Sequence, residues 1–291
     1  MKSRWLSNLV LLILVAGLGA YFLLRPAPVE RAQKKHEISA LKLASFNKIR
    51  VEFPSKAPLV FEKINNYWRM MQPQPARADQ MLVQRLLSIV AATSTEKFPA
   101  TDLARFGLDS PRLKLKLDNE EFLFGNFNPV SSEQYMLYKN AVYLLPYTYA
   151  EVASVQPVEF IDKNPLAQSE KIAGFDFSHL EQWQESLLQV DLVKGKWISS
   201  ANAKLSQNDM NEWFEGNWKN VSVISVEPYT PNHRIVSPSF EVKLADGRKV
   251  HFDKLQESPE VILGRPDEGL SYHLPADAGF ALLNPPVSIA K

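Results

Sequence analysis

The run LVFEKINNYW, residues 59–68, returns at residues 188–197 as LQVDLVKGKW, each a strand-like stretch with a polar turn pair just ahead of its tryptophan. The interval is 129 residues, and later landmarks keep close to it. Met81 matches Met210, and Ser110-Pro111 matches Ser237-Pro238. The turn Asp118-Asn119 with Phe122 and Phe124 matches Asp246-Gly247 with Val250 and Phe252, Tyr143 with Pro146 matches Tyr272 with Pro275, and Pro157 matches Pro285. Offsets stay between 127 and 129 in one order, the signature of tandem copies of a structural unit. The reading places one copy over residues 48–163 and the other over residues 164–291.

Within each copy the pattern predicts strands, one amphipathic helix, then more strands. Asp79 can cap a helix in which Leu82, Leu86, Ile89 and Val90 recur at helical spacing. In the second copy Ser206 precedes Asp209, Met210, Trp213, Phe214 and Trp218 in a weaker capping pattern. Alternation in Leu113, Leu115 and Leu117, and in Phe240, Val242 and Leu244, predicts half-buried strands. The fold class expected is α+β: an N-terminal transmembrane helix followed by two tandem similar units of mostly antiparallel sheet plus helix.

Outside the repeat, residues 5–24 contain no charged side chain, and 20 such residues in a helix span about 30 Å, the thickness of a bilayer's hydrocarbon core. The expectation is an uncleaved anchor with a cytoplasmic tail over residues 1–4 and a stalk over residues 25–47. Small residues from Ala16 to Ala20 support a cleaved signal peptide instead, but Tyr21 to Leu24 keep the segment apolar beyond them. Arg25, Arg31, Lys34 and Lys35 outnumber Lys2 and Arg4, which argues for the opposite topology. The preferred placement still puts the main domain outside, because long domains translocate largely regardless of flanking charge.

The chain has 291 residues, 45% hydrophobic and 22% charged, so it can bury a sizeable core. It has no cysteine, which excludes disulfides, thiolate zinc sites and thiol nucleophiles. From residue 36 on, 27 Lys and Arg stand against 31 Asp and Glu, a balance that does not bind nucleic acid on charge alone. Glycine-rich phosphate loops and the Gly-x-Ser-x-Gly elbow do not occur.

The apolar N-terminal segment, Trp68-Arg69 followed by Pro75, Ala78 and Asp79, the run from Phe106 through Gly107 to Pro111, Tyr135, Tyr143, Phe160 and Asp162 together resemble the bacterial family called domain of unknown function 4340. The resemblance covers residues 40–165 well and the second copy loosely. It implies an envelope protein held by one helix, accompanying ABC-type transport or gliding-motility components, and it assigns no catalytic residue. Gly107 is read physically as ending a helical turn over Leu103 to Phe106 in the left-handed conformation, with Pro111 preventing helix restart.

No two histidines among positions 36, 179, 233, 251 and 273 share helical metal-ligand spacing. Asp267, Glu268 and His273 form one weak metal constellation, and Ser45 with Lys48 fits the Ser-x-x-Lys spacing of some acyl-transfer enzymes. Neither is accompanied by a supporting motif, so no catalytic residue, metal or cofactor is expected. Trp183, Trp197, Trp213, Trp218 and Tyr229 cluster in the second copy. Trp183 and Tyr229, less committed to a helix stripe, are the expected ligand or partner contacts beside a crevice between the copies. Trp68, Gly107, Pro111 and Trp197 are expected to be structural.

The functional expectation is an inner-membrane, single-pass protein with its main domain periplasmic, held through residues 5–24. It would bind or scaffold another envelope or transporter protein and not nucleic acid. The alternatives are an envelope enzyme acting on cell-wall or lipid-linked substrate, or capture of a small ligand between the two units.

Overall fold

The computed structural model describes residues 2–24, 35–200, 203–221, 223–232, 234 and 236–289, with the side chains of the first helix over residues 9–21. Helix α1 (Lys2–Leu24) comes first. The first half then runs β1 (His36–Glu37), β2 (Lys48–Phe53), β3 (Lys56–Ile64), β4 (Tyr67–Gln72), β5 (Ala76–Arg77), α2 (Gln80–Leu87), β6 (Thr93–Ser94) and β7 (Lys97–Pro99). It continues with β8 (Leu113–Leu117), β9 (Glu120–Phe127), β10 (Gln134–Tyr138), β11 (Ala141–Leu145) and α3 (Thr148–Ser154). The second half runs β12 (Ile172–Asp176), β13 (Gln189–Val193), β14 (Lys196–Ser199), β15 (Ala203–Leu205), α4 (Gln207–Trp213), β16 (Ser225–Pro228) and β17 (Ser239–Leu244). It ends with β18 (Lys249–Gln256), β19 (Glu260–Arg265), β20 (Leu270–Pro275), α5 (Ala276–Leu283) and β21 (Val287–Ile289).

These strands build two large antiparallel sheets. The first has the order β5-β4-β3-β2-β8-β9-β10-β11-β7 and the second β14-β13-β12-β17-β18-β19-β20-β16. Setting aside β5, the two orders superpose strand for strand, with α2 matched by α4 and α3 by α5. Trp68 on β4 thus corresponds to Trp197 on β14, and Tyr143 on β11 to Tyr272 on β20, and all four are buried. Even the closing contact repeats: Ile161 bridges Ala78 in the first half, and β21 pairs with β15 in the second.

Local chemistry explains the elements. Leu113, Leu115 and Leu117 are buried between outward lysines, as alternation requires. Asp79 caps α2 by accepting from the amides of Met81 and Leu82, and Ser206 caps α4 through the amide of Asp209. The turns between the paired strands fall where Asp118 and Gly247 take positive φ of 48° and 86°. One continuous apolar core joins both halves, including Phe61, Phe160, Phe175, Trp197 and Tyr272. A smaller one, Phe106, Leu108 and Val142, lies apart from it.

The helices repeat in a different register from the sequence landmarks. Gln80 and Gln207 open the two helices and make the same bonds, so Val83, not Met81, is the counterpart of Met210. Both Val83 and Met210 are fully buried, whereas Met81 is 76% exposed.

The transmembrane expectation is corrected. Among the described residues no helix is long and apolar enough to cross a membrane. With the anchor fall the membrane contact through residues 5–24, the inner-membrane single-pass location with a periplasmic main domain, and the role of membrane-anchored accessory to transport. The α+β class with two large antiparallel sheets stands. Residues 25–34 of the expected stalk lie outside the described residues.

Candidate functional site

The tryptophans of the second half have a common task. The last four carbonyls of a helix have no partner within it, and in α5 each is met by a side chain. Asn284 Nδ2 donates to Phe280 O, Trp213 Nε1 to Ala281 O, Trp218 Nε1 to Leu282 O, and Trp183 Nε1 to Leu283 O, at 2.7–3.2 Å. Trp213 and Trp218 are also buried around Phe175, with ring centroids 5.2 and 4.6 Å away. Trp183 is half-buried and lies against the core.

Tyr229 follows β16 and crosses the sheet, its ring resting on Gly264 of β19. A Cβ at Gly264 would lie 2.3 Å from that ring. The hydroxyl donates to Asp253, whose other oxygen is 3.1 Å from His251 Nε2. Burial, together with the Asp253 carboxylate, pushes the Tyr229 phenol up to about 12. In the first half Phe106 and Leu108 pack on the sheet around Val142, carried by the helical turn Leu103–Phe106 that Gly107 ends at φ 68°. Pro111 follows, just ahead of β8.

Trp68 and Trp197 sit on equivalent strands, β14 at the edge of its sheet and β4 covered there by the two residues of β5, and a glutamine brackets each. Gln80 Oε1 accepts from Trp68 N at 2.9 Å and its Nε2 donates to Trp68 O at 3.0 Å. Gln207 repeats both bonds on Trp197 at 2.9 and 2.8 Å. Each carboxamide thereby satisfies backbone groups that a neighbouring strand would otherwise take.

Concavity lies along the segment that joins the halves. On one side a hollow of about 510 Å³ is walled by residues 164–168 and 170–172 together with Phe214, Trp218, Lys219 and Val221. On the other side a hollow of about 260 Å³ is walled by Ile64, Tyr67, Trp68, Arg69, Arg77 and Asp162 among others. Ala167 and Gln168 line both. Trp183 and Tyr229 line neither.

A buried ionic network fixes this junction. Arg77 Nη1 donates to Asp162 at 2.6 Å and its Nε to Glu268 at 2.8 Å. Its Nη2 donates to Asn164 O, to Glu268 and to the Tyr272 hydroxyl. Tyr272 in turn donates to Glu268, and burial together with that carboxylate raises its phenol. Arg265, 3% exposed at its side chain, donates to both oxygens of Glu170 at 2.9 and 2.7 Å and to Pro165 O. Burial opposes ionisation of Glu170, but Arg265, the Ala167 amide and Arg77 outweigh it and hold the carboxyl below its usual range.

The weak catalytic constellations are not assembled. Ser45 Oγ donates to Lys42 O while Lys48 pairs with Glu62. Glu268 and Asp267 serve the two arginines, and His273 Nδ1 lies 2.9 Å from Glu260. Among the described residues no group of three His, Asp or Glu side chains is placed to hold a metal ion. His233 lies outside the described residues.

Sequence reasoning missed Arg77, Arg265 and the two glutamines. Only the glutamines left a signal, each opening a helix shortly after a repeated tryptophan. No curated protein and no solved structure matches the chain. A family model described as Domain of unknown function (DUF4340) matches residues 68–227, from the β4 tryptophan of the first sheet through the junction into the second, and since this is more than half of the sequence the chain belongs to that family.

Proposed function

We propose that the chain is a binding protein, built of two similar units over residues 48–163 and 164–291, that takes an elongated ligand in the groove formed by the two hollows along the joining segment. The observation that carries this reading is that Ala167 and Gln168 of the joining segment line both hollows. Their sizes suit ligand sites, which favour junctions where two bodies supply walls without a cavity being carved from either core. Aromatic walls stand at both ends, Tyr67 and Trp68 on one side and Phe214 and Trp218 on the other. The network of Arg77 and Arg265 keeps those walls in one relative position, so a ligand meets a preorganised site.

The test uses an array of oligosaccharides and peptides probed with the full chain. Ala167→Trp fills the wall common to both hollows, and Val236→Trp, at a position 97% exposed, is the control. Ligands captured by the wild type should be lost by the first variant and kept by the second. Ligands that bind all three proteins equally, or an array without any ligand, would remove the groove as the site.

The partial exposure of Trp183 and Tyr229 favours a second reading, in which one of them contacts a ligand or partner away from the groove. Photo-crosslinking from either position in place of the native side chain, with no adduct formed, would dismiss it.

A further inference from the structure

Antiparallel pairing sets Arg69 of β4 directly opposite Glu62 on β3 and opposite Arg77 on β5. Directly opposed residues project to the same face of a sheet, so a carboxylate and two guanidinium groups stand side by side at this edge. Their partners are unequally divided. Arg77 holds Asp162 and Glu268, and Asp162 accepts from Asn164 with its other oxygen. Glu62 is taken by Lys48 at 2.8 Å. Arg69 is left half-buried with no ion pair or side-chain hydrogen bond among the described residues.

A partly desolvated guanidinium without an anion is unfavourable where it stands, and its planar fork matches a carboxylate or phosphate bidentately. Arg69 lines the hollow of about 260 Å³, and since Arg77 there is already taken by Asp162 and Glu268, Arg69 is the wall cation without a carboxylate of its own. Beside it Ile64 and Tyr67 are 43% and 42% exposed at the end of the β3–β4 hairpin, an apolar wall next to the cation. We propose that this hollow is the subsite for an anionic group of the ligand, a carboxylate or a phosphate, received by Arg69, with Ile64 and Tyr67 covering the apolar part that carries it. The assignment rests on the groove reading given above.

The experiment titrates the full chain with benzoate, phenyl phosphate, inorganic phosphate and neutral benzyl alcohol, reading the side-chain Nε–H resonance of Arg69 and the affinity. Benzoate or phenyl phosphate should shift that resonance saturably, and whichever binds tighter tells carboxylate from phosphate. Benzyl alcohol should bind about tenfold more weakly or not at all, as loss of a charge-assisted hydrogen bond implies. Arg69→Gln should weaken the anion by about tenfold. Arg69→Lys should retain part of the affinity, since it keeps the charge and loses the fork. Lys114→Gln removes the same charge from a side chain without an ion pair on another strand and should leave affinity within about twofold, by the weakness of distant screened charges.

Equal binding of the neutral probe, or equal effects of Arg69→Gln and Lys114→Gln, would overturn the anionic subsite. Shifts confined to Lys171 or Lys219 in the other hollow would do the same. The groove reading fails differently: anions would still titrate Arg69 while Ala167→Trp left capture of array ligands unchanged.

Discussion

The indole Nε1 of Trp183 donates to the carbonyl oxygen of Leu283 across 3.0 Å, from a helical turn a hundred residues earlier in the chain. Trp213 and Trp218 complete the same cap on the two preceding carbonyls, so the aromatic cluster of the second half closes the C-terminal end of α5. The aromatic residues are therefore fixed by hydrogen bonding as well as packing. Trp183→Phe keeps most of the ring contact and leaves the Leu283 carbonyl without its donor. It should cost about 1–2 kcal/mol in a denaturant melt. A change within error would mean that water replaces the indole without loss.

The glutamine brackets make a paired prediction. Gln80→Leu strips the partner of the Trp68 amide and one of the two donors to its carbonyl, the other being the Ala78 amide at 3.2 Å, while Gln207→Leu strips the glutamine's bonds to both the amide and the carbonyl of Trp197. Each should lose about 1–3 kcal/mol. Because unpaired edge groups template strand addition, Gln207→Leu, on the open edge strand β14, should also self-associate at concentrations where the wild type does not. Light scattering across a concentration series reads the second effect, and a monomeric variant would limit that glutamine to local stability.

Much of the fold was legible because alternation and turn chemistry act over short distances. Leu113, Leu115 and Leu117 expose their pattern within five residues, and the landmarks around Trp68 and Trp197 identify equivalent strands. The helix register was misread at Met81 because methionine recurs near the right offset, while the Gln80 and Gln207 bonds that set the register depend on edge groups that only folding creates. The junction was less legible still. Arg77 meets Glu268 across 191 positions of sequence, and nothing local marks either as buried. Trp183 and Tyr229 looked available because neither lies on a helix stripe. The structure gives one a carbonyl of α5 and the other a glycine to lie on, and two of its hollows lie beside Trp68 and Trp218.

Gly264 and Tyr229 should behave as one unit. Gly264→Ala drives a methyl group into the ring of Tyr229 and should cost about 1–3 kcal/mol by overpacking. In a Tyr229→Ala background the same substitution has no ring to displace, and most of its cost should vanish. Thermal or urea melts of the four proteins close the cycle, and an unchanged cost in the double variant would place the clash elsewhere. The phenol offers a separate readout. Its ionisation near pH 12 in the folded state, against about 10 for an unfolded tyrosine, means that its contribution to stability is present below pH 10 and is lost as pH rises toward 12.

Glu170 ties the junction to acidity. Its carboxyl ionises below the usual 4.5 in the folded chain because Arg265 and the Ala167 amide hold the charged form against the cost of burial. A folded value depressed below the unfolded one adds stability that is complete above the unfolded value and disappears as pH falls through the folded one. Glu170→Gln leaves Arg265, 3% exposed at its side chain, without its bidentate carboxylate. At pH 7 that should cost about 1.5–3 kcal/mol, the range for hydrogen bonds to a charged group, since Asp267 still pairs the guanidinium. Since the variant has no carboxyl to titrate at this position, the gap to wild type should hold between pH 7 and 5 and narrow toward pH 3. Urea midpoints at the three pH values measure it. A gap that stays constant down to pH 3 would assign the acid loss of stability to other carboxylates, with Asp162 and Glu268 around Arg77 the next to replace.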